Sequence, residues 1–123
     1  MKRILIIDDA ATVRMYHRNI LEDAGYRVAE AINGVEALEK ALQEPFDLYI
    51  VDINMPKLDG YGFLRQLRTE DIAQGPAIMV STEEAEHDQT AAFRAGANCY
   101  IAKPAKPEQL LKNVRLLLGD FGS

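Results

Sequence analysis

One cysteine and two histidines are the only thiol and imidazole groups among the 123 residues. Cys99 alone cannot close an internal disulfide or build a cysteine-based zinc site. Long apolar runs are missing too, and none approaches the roughly 18 residues that a membrane-spanning helix needs. Met1-Lys2-Arg3 is a basic start, but the apolar run behind it is only Ile4–Ile7. A secretory signal needs about 7–15 apolar residues there, so the chain reads as cytoplasmic. Basic residues are outnumbered, 14 Lys+Arg against 19 Asp+Glu, for a net charge of −5. An acidic chain with no basic stripe is a poor ligand for phosphate backbones, and nucleic acid is not an expected partner. Internal repeats, low-complexity tracts and linkers are absent as well.

What is present is a globular composition, 48% hydrophobic and 27% charged, close to that of soluble domains. The length suits one domain with a sizeable core, taken as residues 1–123 with a short tail over 119–123. Five short apolar runs recur: Ile4–Ile7, Val28–Ile32, Leu48–Val51, Ala77–Val80 and Cys99–Ala102. They do not alternate with polar residues, as expected of strands buried on both faces. A stretch with helical spacing follows each. The expected helix faces are Val13, Tyr16, Ile20 and Ala24; then Val35, Leu38 and Leu42; then Phe63, Leu64 and Leu67; and last Leu110, Val114, Leu117 and Leu118. The fourth helix, about Glu84 to Ala95, has only a weak apolar stripe. Gly25 suits a left-handed helix end, Gly96 closes the fourth helix, and Gly75-Pro76 ends the connection before the fourth strand. Asn33 with Glu36 reads as a capping-box-like helix start. Five β–α units predict a parallel sheet with helices on both faces and right-handed crossovers.

Ligands of such sheets sit beyond the carboxyl ends of the strands. Asp8 and Asp9 follow the first run, Asp52 and Asn54 the third, Ser81 and Glu83 the fourth, and Lys103 the fifth. With strand order 2-1-3-4-5, three carboxylates, a hydroxyl and an ammonium would share one rim. Two carboxylates about 4 Å apart repel by about 4 kcal/mol at an effective dielectric near 20, so a cation must compensate. Lys103 supplies one charge, and a hard divalent ion with oxygen ligands supplies more. His17 reads as a residue on the exposed side of the first helix and His87 as one near the start of the fourth. Cys99 reads as buried.

These residues resemble those of the response-regulator receiver domain, CheY-like in its single-domain form. The likeness runs from Lys2 to about Leu118. It rests on Ile6-Ile7-Asp8-Asp9, Val51-Asp52-Ile53-Asn54-Met55-Pro56, Asp59-Gly60, Ser81, Ala95-Gly96-Ala97 and Lys103-Pro104. It implies a flavodoxin-like α/β fold with five parallel strands in the order 2-1-3-4-5, an order carried over from the family. It implies that Asp52 is the phosphoacceptor and that Asp9 and Asp52 bind Mg²⁺ directly. Asp8 would act through water, and the Asn54 backbone carbonyl would be a further ligand. Lys103 and Ser81 would contact phosphoryl oxygens. Ser81 and Tyr100 would form the switch, and Asn54 and Glu83 would tune the phosphoryl lifetime. The Lys103-Pro104 bond would be cis. The donor would be a sensor histidine kinase or a histidine phosphotransfer protein. The changed face, made by the fourth helix, fifth strand and fifth helix, would bind a downstream protein, with a flagellar motor switch among the candidates. Such a chain catalyses its own Mg²⁺-dependent phosphorylation and dephosphorylation without being a conventional enzyme. A relay intermediate, a phosphate sink, and a receiver trimmed from a longer regulator are the alternatives.

Ala105 departs from the Phe often found after Lys-Pro in this family, which is expected to remove an aromatic from the output face. Ala10 and Ala11 replace bulkier or capping residues, with Thr12 as a substitute cap. Other classes fit less well. A haloacid-dehalogenase-like phosphatase needs an acid where Asn54 stands. A flavin carrier needs a Ser/Thr/Gly-rich loop where Asp8 and Asp9 would repel its phosphate.

Overall fold

The computed structural model describes residues 2–82 and 86–120, with the backbone alone for 86–88. The apolar runs form β1 (Arg3–Ile7), β2 (Arg27–Ala31), β3 (Leu48–Asp52), β4 (Ala77–Ser81) and β5 (Cys99–Ala102). Between and after them lie α1 (Ala11–Asp23), α2 (Gly34–Gln43), α3 (Gly60–Thr69), α4 (Glu86–Ala95) and α5 (Pro107–Leu118). All strand pairs are parallel and the order is β2-β1-β3-β4-β5. The class and order therefore agree with expectation.

Burial on both faces holds for the central strands and fails at the edge. β3 and β4 are buried throughout, whereas β2 is half-exposed until Ala31. Ile32 lies outside β2 and is exposed. Asp52 and Ser81, in turn, are the last residues of their strands rather than the first beyond them.

Alternate side chains of each strand enter opposite core layers. On one face Leu5, Ile7, Tyr49, Val51 and Met79 meet the small residues of α2 and Phe63, Leu64 and Leu67 of α3. Tyr49 packs edge-on against both Phe46 and Phe63, with centroids 5.9 Å apart in each pair. On the other face Ile4, Ile6, Leu48, Ile50, Ile78, Val80 and Ile101 meet Leu21 of α1 and Leu110 and Val114 of α5.

Two helix faces differ from the spacing-based reading. On α2 the buried residues are Gly34, Ala37 and Ala41, while Val35 and Leu42 are exposed. The reason is close approach: a Cβ at Gly34 would lie 2.4 Å from the Leu58 carbonyl oxygen, so only a small residue fits there. On α1 the buried pair is His17 and Leu21. His17 is only 2% exposed, which overturns its assignment to the outer side. Tyr16 is partly exposed and reaches over to donate its hydroxyl to the Ala105 carbonyl at 2.9 Å.

The helix ends follow the local chemistry. Asn33 accepts from the Glu36 N–H at 2.8 Å, and the Glu36 carboxylate accepts from the Ile32 N–H at 2.9 Å. Asp59 caps α3 through the Gly62 N–H at 2.8 Å. Ala10 caps α1 without a side-chain bond, and Thr12 lies inside the helix. Gly25, Gly96 and Gly119 have positive φ at the ends of α1, α4 and α5.

Candidate functional site

β1 and β3 are neighbours, and they end together on the side where the order turns from β2-β1 to β3-β4. Asp8 follows β1 and Asp52 ends β3, so the strand register alone sets two carboxylates side by side. Oxygens of Asp8, Asp9 and Asp52 lie within 4.8 Å of one another. Asp8 and Asp52 are buried, 3% and 7% exposed, while Asp9 is exposed at the rim. Lys103 enters from the end of β5. Its ammonium donates to Asp8 Oδ2 and to Asp52 Oδ1, each at 3.0 Å. The Lys103-Pro104 peptide is cis, as the resemblance implied.

Asp8 is held on every side. Its N–H donates to the Ala31 carbonyl at 3.1 Å, Oδ1 accepts from the Ala10 N–H at 2.9 Å, and its carbonyl accepts from Arg14 Nη1 at 2.7 Å. The same guanidinium pairs through Nε with Glu30 of β2 at 2.8 Å. Beneath Asp52, Gly60 packs so closely that a Cβ there would lie 2.3 Å from the Asp52 carbonyl oxygen.

Burial pushes the Asp52 carboxyl up, the Asp8 and Asp9 carboxylates push it the same way, and the Lys103 hydrogen bond only partly offsets this. For Lys103, burial alone would lower the pKa. The hydrogen bonds to Asp8 and Asp52 outweigh it and leave the value raised, so the ammonium keeps its proton at neutral pH. The cluster thus carries three carboxylates against one ammonium. Oxygen donors of this kind suit a hard divalent cation, and the group contains no thiol or imidazole.

The other expected site residues lie at the end of β4, just beyond β3 and on β5, or outside the described residues. Ser81 is fully buried at the end of β4, and its carbonyl accepts from the Lys103 N–H at 2.7 Å. Asn54 is exposed two residues beyond Asp52. Tyr100 is half-buried on β5, in register with Met79. Glu83, the start of the fourth helix at Glu84, the His87 side chain and tail residues 121–123 lie outside the described residues. Ala105 is an interior position, fully buried against Leu110 and Val114, rather than part of an exposed output face. It lines a cavity of about 420 Å³ with Thr12, Tyr16, His17, Thr82 and Lys103. Arg14 was not foreseen. Its signal is a basic residue beside the apolar stripe, six positions after Asp8.

Residues 4–115 match the response regulator receiver domain family. The chain belongs to that family. Protein PilH of Pseudomonas aeruginosa is 38% identical to this receiver, over 96% of this chain and 98% of PilH. The transcriptional regulatory protein ResD of Bacillus subtilis is 37% identical over 94% of this chain, which spans only 48% of ResD. The receiver thus covers about half the length of the transcriptional regulators it matches. Chemotaxis protein CheY4 of Vibrio cholerae superposes with a TM-score of 0.90 at 35% identity, covering 96% of this chain and 99% of that one. The receiver domain of a Pseudomonas aeruginosa sensor histidine kinase, solved with magnesium coordinated in its active-site cleft, superposes with a TM-score of 0.89 at 28% identity. It covers 96% of this chain and 98% of that one. The receiver is therefore a module of two-component and chemotaxis-type signalling. Among the described residues, no helix is long and apolar enough to cross a membrane.

Proposed function

We propose that this receiver is a phospho-accepting switch in which Asp52 takes a phosphoryl group from a phosphohistidine. The observation that carries the reading is the Lys103 ammonium, 3.0 Å from both Asp8 and Asp52 in a cluster where carboxylates still outnumber it. An Asp52 carboxylate oxygen attacks phosphorus, the P–N bond to the donor imidazole breaks with its electron pair left on nitrogen, and an acyl phosphate forms. Lys103 exchanges its carboxylate partner for a phosphoryl oxygen, and the Ser81 hydroxyl donates to another. Asp9, Asp52 and the Asn54 carbonyl would hold Mg²⁺, with Asp8 acting through water, and the bound ion would neutralise charge on the phosphoryl oxygens. The magnesium in the active-site cleft of the kinase receiver domain supports a Mg²⁺ site in this cleft.

The donor is a sensor histidine kinase or a histidine phosphotransfer protein. The readout passes through Ser81 and Tyr100 to the face of α4, β5 and α5, where a downstream protein binds. A shift from 1:99 to 99:1 between two states needs about 5.5 kcal/mol of differential stabilisation, and charge-assisted bonds to a phosphoryl group supply part of it. A likeness to PilH over nearly its full length favours one receiver domain acting by itself. The half-length match to transcriptional regulators favours a second use, as the receiver part of a longer regulator.

Intact mass after incubation with a small phosphodonor tests the chemistry. A single Mg²⁺-dependent phosphoryl adduct, lost in Asp52→Ala, is expected. An adduct that persists in Asp52→Ala, or none in the wild type, overturns the assignment.

A further inference from the structure

We propose that Arg14 is a positioning residue for cation binding: anchored by Glu30, it holds the Asp8 carbonyl and so sets the peptide plane that aims Asp9 at the cation. The inference rests on the reading of Asp8, Asp9 and Asp52 as a Mg²⁺ site. Asp8 is already fixed by the Ala31 carbonyl, the Ala10 N–H and Lys103. Asp9 is exposed and gains no comparable constraint from burial. The two residues share a planar peptide unit, and the oxygen of that unit is the Asp8 carbonyl. Fixing that oxygen fixes the rotation of the whole unit, and with it the backbone from which the Asp9 carboxylate projects.

Arg14 suits this task by geometry. A guanidinium presents its donors as a rigid fork, so anchoring one edge orients the other. Nε is tied to Glu30 Oε1 at 2.8 Å, and Nη1 reaches the Asp8 carbonyl at 2.7 Å. Glu30 is itself braced by Arg18, and the Lys40 ammonium donates to its carbonyl. Because Glu30 pairs in register with Ile6 of β1, the anchor belongs to the same sheet as the acid pair. The chain of contacts therefore runs from β2, through Glu30 and Arg14, to the peptide that carries Asp9.

The sign of the effect separates positioning from simple charge. A cation beside an acid cluster repels Mg²⁺, so removing the Arg14 charge would by itself tighten binding. Loss of positioning weakens it. Calorimetric titration of the purified chain with Mg²⁺ decides between them. Arg14→Met is expected to weaken Mg²⁺ binding about tenfold, as is common when a residue supporting a ligand is lost. Arg14→Lys keeps the charge without the fork and is expected to weaken binding by a smaller factor. That variant also keeps the test open if Arg14→Met folds poorly. In the Arg14→Met/Glu30→Met pair, the second change is expected to add little, because its anchored partner is already gone. A merely structural arginine would lower the melting temperature and leave the Mg²⁺ Kd unchanged. An unchanged or tighter Kd in Arg14→Met and Arg14→Lys, with Asp9→Asn still weakening binding, overturns the role of Arg14 alone. A wild-type chain that binds no Mg²⁺, or an Asp9→Asn chain that binds it as well as wild type, overturns the Mg²⁺ site and this inference together.

Discussion

Two arginines sit at opposite ends of the sheet and are used differently. At the amino ends of β4 and β5, Arg68 donates to the carbonyls of Gly75 and Gly96 at 2.7–3.1 Å and to the side-chain oxygens of Gln74 and Asn98. All of those acceptors are neutral, and burial lowers the Arg68 pKa. At the carboxyl ends, Arg14 is paired with Glu30, and the nearby cluster is left with more carboxylates than ammonium groups. One end spends its cation on closing helix and loop termini. The other keeps its acids short of a counter-charge. The difference teaches where to look for function: the Arg68 end is satisfied internally, and among the described residues the carboxyl end keeps an excess of acids that could take up a cation.

Substitutions at each end sharpen this contrast. The largest effect is expected for Arg68→Ala, which strips the Gly75 and Gly96 carbonyls of a charged donor. It should cost about 3 kcal/mol in urea unfolding and leave the Mg²⁺ Kd unchanged; a changed Kd would break the separation of the two ends. Lys103→Met removes the ammonium from between Asp8 and Asp52. A loss of about 2 kcal/mol is expected, below that for a fully buried pair because the Lys103 side chain is 17% exposed, with a larger Mg²⁺-induced rise in melting temperature than in wild type, because the ion then replaces the missing charge. Equal rises in the two proteins would show that the cluster is not short of a cation.

Asp9→Asn has the opposite sign. Removing one of three mutually repelling carboxylates should stabilise the metal-free chain by about 1 kcal/mol or less while weakening Mg²⁺ binding. Calorimetry with and without Mg²⁺ reads both changes.

The smallest effect concerns His17, under the carboxyl rim. Burial lowers its pKa, the Asp8 charge opposes this, and Lys103 adds to it. The unfolded chain protonates this side chain near pH 6.5 and the folded chain only at lower pH, so the unfolded state binds more protons in that window. Stability should therefore fall as pH drops from 7 to 6, by less than about 1 kcal/mol. The slope of urea midpoint against pH should flatten in His17→Gln, and an unchanged slope would assign the dependence to other groups.

Much of this was legible in the residue order. The β–α alternation set the class, and strand ends carrying Asp8, Asp52, Ser81 and Lys103 marked the rim. What hydropathy could not show was depth of approach. α2 faces the core with Gly34, Ala37 and Ala41 because backbones meet closely there, so Val35 and Leu42 were misread as the inner stripe. His17 and Arg14 were missed for a related reason. A polar side chain on an inner face is invisible to periodicity, and Arg14 becomes interpretable only once β2 brings Glu30 beside it. Ala105 was placed on an outer face because the residues after β5 gave no sign that Tyr16 would close over its carbonyl.

The segment between Asp52 and Gly60 is cinched at both ends. The Gly60 N–H donates to the Ile53 carbonyl at 2.9 Å, and the Leu58 carbonyl accepts from the Gly34 N–H at 3.0 Å. Lys57 turns through φ 70° between them. For anyone redesigning this protein, those residues act as a spacer of fixed length. A single inserted residue would lengthen the loop that the Gly60–Ile53 and Gly34–Leu58 bonds close, so grafted peptides or sensor domains belong elsewhere. The exposed stretch around Asp71 and Ala73 is the better splice point.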